Sequence, residues 1–442
     1  MRAAAVLALG AILTLGAACG GGAKQRTPMP TGSPAFVPDI AYIGPDQLFT
    51  RDIWLAATDG SGKRNVTQGR CPNPQRPEWS PAGDRIACIG RGSAALPETR
   101  VLVFDLEGHL LLQIQHAASY GGSGSWTEIS AGTNPLWSAD GRFLAYVVEE
   151  NVPPAPEEGP RPRGTSVLII ADAARGILTS IPGAREPRWS TDGSRLAYNR
   201  PPGDTLAVYD PATTEEKVLG DGLRPLAWAL GGEALVVAAD YHADGIGAEY
   251  AASLLDPATG QMTPLPELNN GTQFWLSPDG TTVAFLTDQS LHEKYDAEIA
   301  LLDLASGEVT PIIGSVTAYP GEMIPRGNLA FSADGSHLCW AEVVTGPSGE
   351  TYQGQPVYQT IARVYRATAG GGGLTKVGEL PSGGVVPSAN LERILYTTTS
   401  PPSNDRPLRV ANMDGSSARL LAENGWYAAW RPLAPLEDSG RQ

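Results

Sequence analysis

The sequence is poor in the residues that build metal sites and nucleic-acid-binding surfaces. Its 442 residues include five histidines and four cysteines, and neither type recurs at the close spacing of a zinc site. Basic residues are also in the minority, because 32 Lys and Arg stand against 47 Asp and Glu for a net charge of −15. An acidic surface repels phosphate backbones. We therefore expect no metal, no cofactor and no nucleic-acid partner.

Long apolar runs are also lacking beyond the N-terminus. Residues 1–18 carry one basic residue, Arg2, before an apolar stretch and small residues, which is the layout of a secretory signal. The five residues that end at Cys19 resemble a bacterial lipobox, in which the cysteine becomes the lipidated first residue of the mature protein. Because Gly16 stands where lipoboxes favour leucine, ordinary cleavage after Ala18 is the alternative. The sequence predicts export and a lipid anchor at Cys19, on the periplasmic side or at the cell surface.

What the chain has in abundance is turn residues and one repeated motif. It contains 52 Gly and 38 Pro, and a pattern of aromatic-Ser-x-Asp-Gly followed by apolar-Ala-aromatic recurs about every 50 residues, a propeller-blade period. Each copy is named here by its anchor, the residue at the start of the motif. Three close copies and five weaker ones have their anchors at Trp79, Trp137, Trp189, Trp228, Leu276, Phe331, Pro387 and Trp430.

Each interval predicts a four-stranded antiparallel unit. The anchor ends the first strand, Asp-Gly makes a tight turn, and a short apolar strand returns. After the third strand comes a second turn that begins with aspartate, whose carboxylate is expected to cap turn amides and not to bind calcium. These aspartates are Asp105, Asp172, Asp210, Asp256, Asp303 and Asp414.

The two ends of the chain complement each other. Segments 40–43, 53–55 and 64–67 read as strands two, three and four of a blade without a first strand, and segment 427–430 reads as a first strand with nothing after it. Sharing one blade would close the ring and remove its open edges. The sequence thus predicts an all-β fold, a single propeller of eight blades. Seven blades remain open as an alternative, because the copies at Trp228 and Pro387 depart from the pattern.

The Trp-Ser-x-Asp-Gly and Ile-Ala-Tyr units resemble the PD repeats of TolB-like propellers, a WD-like group, over about residues 39–435. The resemblance implies a periplasmic or cell-surface propeller that binds other proteins. The chain departs from that family's six-bladed type in its predicted blade number and in the lack of an α/β domain before the first strand, so a role in the Tol-Pal system does not follow. The predicted organisation is a signal peptide over 1–18, a lipidated cysteine and flexible tether over 19–38, the propeller over 39–435 and a disordered tail over 436–442.

Long insertions gather on one kind of connection. The turns between strands one and two and between strands three and four are tight, whereas the strand-two-to-three and blade-to-blade connections, which emerge on the opposite rim, are long: 90–99, 116–134, 149–165, 240–249, 288–297, 314–327 and 344–359. Binding residues concentrate on such loops, and Tyr and Trp are frequent interface anchors. The candidates for contact with an envelope or surface protein are Tyr120, Trp126, Tyr241, His242, Tyr295, Tyr319, Tyr352 and Tyr358. The protein is expected to be a monomer.

Two other functions stay open. The loop tyrosines also allow a glycan or small ligand to bind at the channel mouth. A hydrolase would need a cluster of loop residues from neighbouring blades, and no Gly-x-Ser-x-Gly or His-Glu-x-x-His motif supports it. Its members would be Asp240, His242, Asp244, Glu249, His292 and Glu293.

The cysteines allow one disulfide. Outside the cytoplasm Cys71 and Cys88 can form a bridge, which would stabilise the fold through the loop that it closes. The alternative is a pair of buried thiols.

Overall fold

A computed structural model describes residues 38–432, except for 13 short ranges. Those ranges are 46–50, 91–98, 117–134, 152–163, 202–203, 244–247, 270–273, 289–294, 313–315, 319–328, 353, 383 and 399–405. The described part of the chain is built of β-strands and two single-turn 3-10 helices, Leu230–Gly232 and Pro266–Leu268, and contains no α-helix. No helix there is long and apolar enough to cross a membrane.

The strands form eight antiparallel sheets, the blades of a propeller. The first three strands belong to the last blade, blade 8: β1 (Ile40–Pro45), β2 (Arg51–Ala56) and β3 (Arg64–Asn65). Blades 1 to 4 follow, each with four strands in sequence order. They are β4 (Glu78–Trp79), β5 (Arg85–Gly90), β6 (Thr99–Asp105) and β7 (Leu110–His116); β8 (Leu136–Trp137), β9 (Phe143–Asn151), β10 (Gly164–Asp172) and β11 (Gly176–Pro182); β12 (Arg185–Trp189), β13 (Leu196–Arg200), β14 (Thr205–Asp210) and β15 (Glu215–Gly220); β16 (Leu223–Ala229), β17 (Ala234–Ala243), β18 (Ala248–Leu255) and β19 (Met262–Pro264).

Blades 5 to 7 repeat this plan, with one addition in blade 5. There a short fifth strand, β24, pairs with the third strand of the blade. The strands are β20 (Phe274–Leu276), β21 (Thr282–Asp288), β22 (Tyr295–Asp303), β23 (Val309–Pro311) and β24 (Val316–Ala318); β25 (Ala330–Phe331), β26 (His337–Tyr352), β27 (Gln355–Thr368) and β28 (Thr375–Leu380); β29 (Val385–Pro387), β30 (Arg393–Thr397), β31 (Leu408–Asn412) and β32 (Arg419–Ala422).

The ring closes in blade 8 as the sequence predicts. The last strand, β33 (Trp426–Trp430), pairs antiparallel with β1, and Ile40 lies opposite Trp430. The irregular copies at Trp228 and Pro387 each form a complete blade, so the blade count is eight and not seven. The order β3-β2-β1-β33 joins the two ends of the described chain in one sheet.

The core lies in layers between neighbouring blades. One layer joins blade 8 to blade 1 through Leu55, Ile86 and Phe104, and another joins blades 2 and 3 through Leu168 and Tyr198, all fully buried. The fourth strands are far more exposed; β15 and β19 bury no residue. First strands therefore lie innermost, around the channel, and fourth strands lie at the circumference.

The serine of the repeat organises the turn after each first strand. In blade 5, the Ser277 hydroxyl donates to Asp279 Oδ1 at 2.6 Å and accepts a hydrogen bond from the Thr282 backbone N–H at 2.9 Å. The glycine then takes a positive φ of 71° at Gly280, a value that costs glycine little. The same acceptance by serine from the amide five residues later occurs at Ser80, Ser138, Ser190, Ser332 and Ser388.

The aspartates after the third strands act as the sequence predicts, as turn caps. Asp303 Oδ1 accepts hydrogen bonds from the Ala305 and Ser306 amides at 3.0 and 2.7 Å. Equivalent bonds form at Asp105, Asp172, Asp210, Asp256 and Asp414.

The anchor tryptophans connect the blades by a ladder of hydrogen bonds. The Trp189 indole Nε1 donates at 3.0 Å to the carbonyl of Leu136, the residue just before the anchor of the preceding blade. The same bond, from each tryptophan anchor to the residue before the preceding anchor, is made by Trp79, Trp137, Trp228 and Trp430. Blades 5 to 7 have Leu276, Phe331 and Pro387 as anchors, so an indole donor is missing there. The anchor thus links neighbouring first strands as well as filling the core.

Two predicted loops are mostly strand. Within 240–249, strands β17 and β18 stay paired as far as Ala243 and Ala248. Segment 344–359, expected to be an irregular insertion, continues strands β26 and β27 almost to their turn. Pro347 and Gly349 fall at a register irregularity between Pro347 and Thr351, where a strand tolerates such residues.

Replacing Trp189 by Phe tests the ladder. We expect Trp189→Phe to lower the free energy of unfolding by about 1 to 2 kcal/mol more than a control does, because the Leu136 carbonyl loses its donor. The control is Trp54→Phe, because Trp54 Nε1 is buried without a hydrogen-bond partner among the described residues. Urea denaturation measures both losses. Equal losses would show that the indole bond contributes nothing.

Acid is expected to destabilise the turns. The Ser332 and Ser336 hydrogen bonds lower the pKa of Asp334 from 3.8 to about 2, and turn hydrogen bonds also lower the pKa values of Asp256, Asp303 and Asp414. Because these pKa values are lower in the folded protein than in the unfolded chain, their stabilisation is complete above pH 4 and is lost as the pH falls towards 2. The urea midpoint should fall across that range, and less steeply in Asp334→Asn. An unchanged slope in that variant would contradict the assignment.

Candidate functional site

The turns between first and second strands form one continuous rim, called here the turn rim. Side chains and backbone groups join neighbouring turns: Arg85 donates to the Gly141 carbonyl at 2.9 Å, and the Leu230 amide donates to the Gly280 carbonyl at 2.9 Å. Gly193 approaches the backbone of the preceding turn so closely that a Cβ would lie 2.8 Å from the Ala139 nitrogen. These contacts join the turns of neighbouring blades to one another.

Both ends of the described chain lie on the turn rim. The Arg431 amide donates to the Asp39 carbonyl at 2.7 Å, and the Arg431 side chain donates to the Gly83 carbonyl of blade 1 at 2.8 Å. Blade 8 has no first-to-second-strand turn, since its first strand comes from the C-terminal part and its second from the N-terminal part. The chain thus enters and leaves the propeller on the rim opposite the long connections.

The opposite rim, called here the loop rim, carries a projecting hairpin from blade 6. Strands β26 and β27 have 16 and 14 residues, whereas the matching strands of blade 7 have five each. Ten extra residues of strand rise on the order of 30 Å. We call residues 344–361 the blade 6 arm.

The arm has open strand edges. Among the described strands, β28 pairs with β27 only from Ala362 to Arg366, and β25 pairs with β26 only at Leu338 and Cys339. Beyond these points both edges of the arm carry backbone N–H and C=O groups that no described strand pairs. Such edges can accept an additional strand.

Five of the predicted contact residues lie on strand ends at the loop rim of three consecutive blades. Tyr241 and His242 end β17 of blade 4, Tyr295 begins β22 of blade 5, and Tyr352 and Tyr358 lie on the arm. Tyr352 is opposite Gln355 beside the hairpin turn, and Tyr358 is opposite Pro347. The other predicted residues, Tyr120, Trp126, Tyr319 and Cys19, lie outside the described residues.

The proposed hydrolase cluster is only partly within the described chain. Asp240 and His242 lie on β17, and His242 is directly opposite Glu249 on β18. The remaining members, Asp244, His292 and Glu293, lie outside the described residues. Within the described chain, no three His, Cys, Asp or Glu side chains come together as a metal site.

His116, a histidine outside the predicted sites, packs between two blades. Its Nε2 lies 2.9 Å from the Tyr146 hydroxyl, between blades 1 and 2. Burial lowers the pKa of His116 to about 4, so the ring is neutral at physiological pH. It is a structural contact between blades.

The sequence reasoning missed a set of accessible residues on the first strands. The residue just before each anchor is accessible to solvent in all eight blades, whereas the preceding residue is buried in most of them. Comparing the residue immediately before each anchor across the eight repeats would have picked out this set from sequence. Its members, in blade order, are Glu78, Leu136, Arg188, Ala227, Trp275, Ala330, Val386 and Ala429.

The predicted disulfide pair is adjacent in the fold. Cys71 and Cys88 are fully buried free thiols, and burial, followed by its hydrogen bond with Cys88, raises the pKa of Cys71 well above its usual value. Cys71 lies in the connection from blade 8 to blade 1, where the ring closes, and Cys88 lies in β5. The bridge itself stays a prediction.

The predicted bridge between Cys71 and Cys88 can be tested on protein that has been exported into an oxidising compartment. We expect that alkylation after unfolding without reductant labels Cys339 but neither Cys71 nor Cys88. Reduction should then lower the free energy of unfolding by about 3 kcal/mol, the loop-closure value for a short loop. Cys88→Ser provides the control, because reductant should not change its stability. Labelling of all three cysteines would contradict the bridge.

Comparisons with known proteins agree on the fold. No family model and no curated protein matches the chain. Among solved structures, TolB from Acinetobacter baumannii is 18% identical over 78% of this chain and 82% of its own, with a TM-score of 0.35. The β-propeller domain of the Trilobed protease from Pyrococcus furiosus is 13% identical over 66% and 82%, with a TM-score of 0.41. Oligogalacturonate lyase from Vibrio parahaemolyticus is 13% identical over 87% and 86%, with a TM-score of 0.44. These likenesses concern the propeller fold alone.

Proposed function

We propose that this chain is an exported, lipid-anchored propeller that acts as a protein-binding scaffold, with its loop rim as the binding surface. The observation that carries the proposal is the difference between the two rims. On the turn rim, tight turns of neighbouring blades bond to one another, whereas the loop rim carries the projecting blade 6 arm and the strand ends with Tyr241, Tyr295 and Tyr358.

The place where the chain enters the propeller supports this arrangement. The described chain begins beside Asp39, on the turn rim, so the predicted tether over residues 19–38 would join the fold there. A flexible tether of that length spans on the order of 25 Å. An anchor at Cys19 would therefore hold the turn rim near the membrane and direct the loop rim away from it, towards an envelope or surface protein.

The form of the arm favours a protein over a small molecule. Among the described residues, the two-stranded arm offers a long, narrow surface whose two edges no strand covers, whereas small-ligand sites are concave. An extended segment of a partner can pair with such an edge through backbone hydrogen bonds, and tyrosines beside the edge add contact area. Together, the blade 6 arm and the neighbouring ends of strands β17 and β22 span blades 4 to 6.

Site-specific photocrosslinking in the native envelope tests the proposal. A photoreactive residue in place of Tyr352 or Tyr358 on the arm is expected to give a discrete crosslinked protein. The matched controls are Ala174 and Ala305, exposed residues in the tight turns of the other rim, which should give none. Shortening the arm to a tight turn within 346–359 should abolish the crosslink from Tyr295 while the thermal midpoint stays nearly unchanged. Equal crosslinking from both rims, or crosslinking from the controls alone, would contradict the assignment of the loop rim.

A further inference from the structure

Two neighbouring blades expose apolar side chains at their outer edge. Leu110 and Leu111 begin β7, the fourth strand of blade 1, and Ile177 and Leu178 stand near the start of β11, the fourth strand of blade 2. These residues are 37% to 49% exposed, and the two strands approach within 8 Å, Cα to Cα. We call the four residues the blade 1–2 patch. Because a fourth strand follows a turn of the turn rim, the patch lies beside that rim.

A bulge in each strand places a leucine of the patch beside the turn. Leu111 and Leu178 are the extra residues at the register shifts of β7 and β11, so neither has a residue opposite it on the third strand. Both shifts lie one residue before the end of the third strand, whereas those of blades 3, 6 and 7 lie three residues before it. Since a bulge re-aims side chains, the two leucines are exposed at the level of the turns.

The strands that carry the patch are long edge strands without charge. β7 and β11 have seven residues each and no Asp, Glu, Lys or Arg. The six-residue edges β15 and β28 both carry charged side chains, and the other fourth strands have only two to four residues. Charge and shortness are the usual protection of an edge strand against association. Blades 1 and 2 therefore have the two least protected edges of the eight fourth strands.

The charge of the turn rim also differs around the ring. In the segments between first and second and between third and fourth strands, blades 8, 1 and 2 have four acidic residues and three Lys or Arg, whereas blades 3 to 7 have eight acidic residues and one Arg. The basic residues are Lys63, Arg142 and Arg175 in the first group and Arg195 in the second. An anionic lipid surface therefore repels the side of blades 3 to 7 far more than the side that carries the patch.

The chain enters the propeller beside blade 1. The Arg431 amide donates to the Asp39 carbonyl, and the Arg431 side chain donates to the Gly83 carbonyl in the first turn of blade 1. The predicted tether over residues 19–38 spans on the order of 25 Å. An anchor at Cys19 would therefore keep this side of the turn rim close to the lipid surface.

We propose that the blade 1–2 patch rests on the lipid surface to which the chain is anchored, so that the propeller stands with blades 1 and 2 against the bilayer. This inference rests on the lipid anchor of the proposed function and adds an orientation to it. Apolar side chains gain from burial at the headgroup boundary, where water still reaches the strand edges. The tether makes even a weak second contact effective, because it holds the patch at a high local concentration near the lipid.

Photocrosslinking to phospholipid tests the patch. The full-length lipidated chain, with a photoreactive residue in place of Leu178, is reconstituted on vesicles of phosphatidylcholine and phosphatidylglycerol, and mass spectrometry measures the phospholipid adduct. The matched control position is Val309, which also begins a fourth strand and is 41% exposed, but on blade 5 within the acidic side. We expect about tenfold more adduct at residue 178 than at residue 309, because only the patch side lies at the headgroup boundary.

A second measurement removes the apolar contact. With a photoreactive residue in place of Ile177, the double change Leu111→Gln and Leu178→Gln should remove most of the phospholipid adduct, and Val309→Gln should leave it unchanged. No phospholipid adduct at residue 178, equal adducts at residues 178 and 309, or a crosslink from residue 178 to a second copy of the chain in place of phospholipid would each overturn the proposal.

The mass of the mature protein tests the anchor separately, because acylation of Cys19 adds the mass of its acyl chains. An acylated protein without the adduct at residue 178 overturns the patch and leaves the anchor intact. A protein without acyl chains overturns the anchor. The patch is then decided by whether residue 178 still forms the adduct when the protein is mixed with the same vesicles.

Discussion

The antiparallel pairing of β1 with β33 is the interaction on which the rest of the molecule depends. A four-stranded blade has one apolar layer on each face, and each layer needs a neighbouring blade to cover it; only a closed ring covers all of them. Eight blades meet this condition here because the first strand of blade 8 arrives from the far end of the chain. The tryptophan ladder acts on the same circle, since each indole links an innermost strand to the one before it.

The polar residues of the repeat form hydrogen bonds within the scaffold. Serine and aspartate of the first turn, and the aspartate after the third strand, all bond to nearby backbone amides. These aspartates act as turn caps, and within the described residues no three His, Cys, Asp or Glu side chains come together as a metal site. The hydrogen-bonded turns lie on one rim and the long connections on the other, which is the usual division between scaffold and binding surface.

Local periodicity determined most of the architecture: the Trp-Ser-x-Asp-Gly turns, the capping aspartates, the number of blades and the shared blade could be predicted, because each depends on contacts between residues close in sequence or on one repeated pattern. The arm could not, since whether strands continue through Gly346 and Pro347 depends on a partner strand that tolerates a bulge. Sequence by itself thus determined the repeat and its closure, and only the tertiary structure decided that segment 344–359 continues as two paired strands, because that pairing depends on a partner strand that accommodates the irregularity between Pro347 and Thr351.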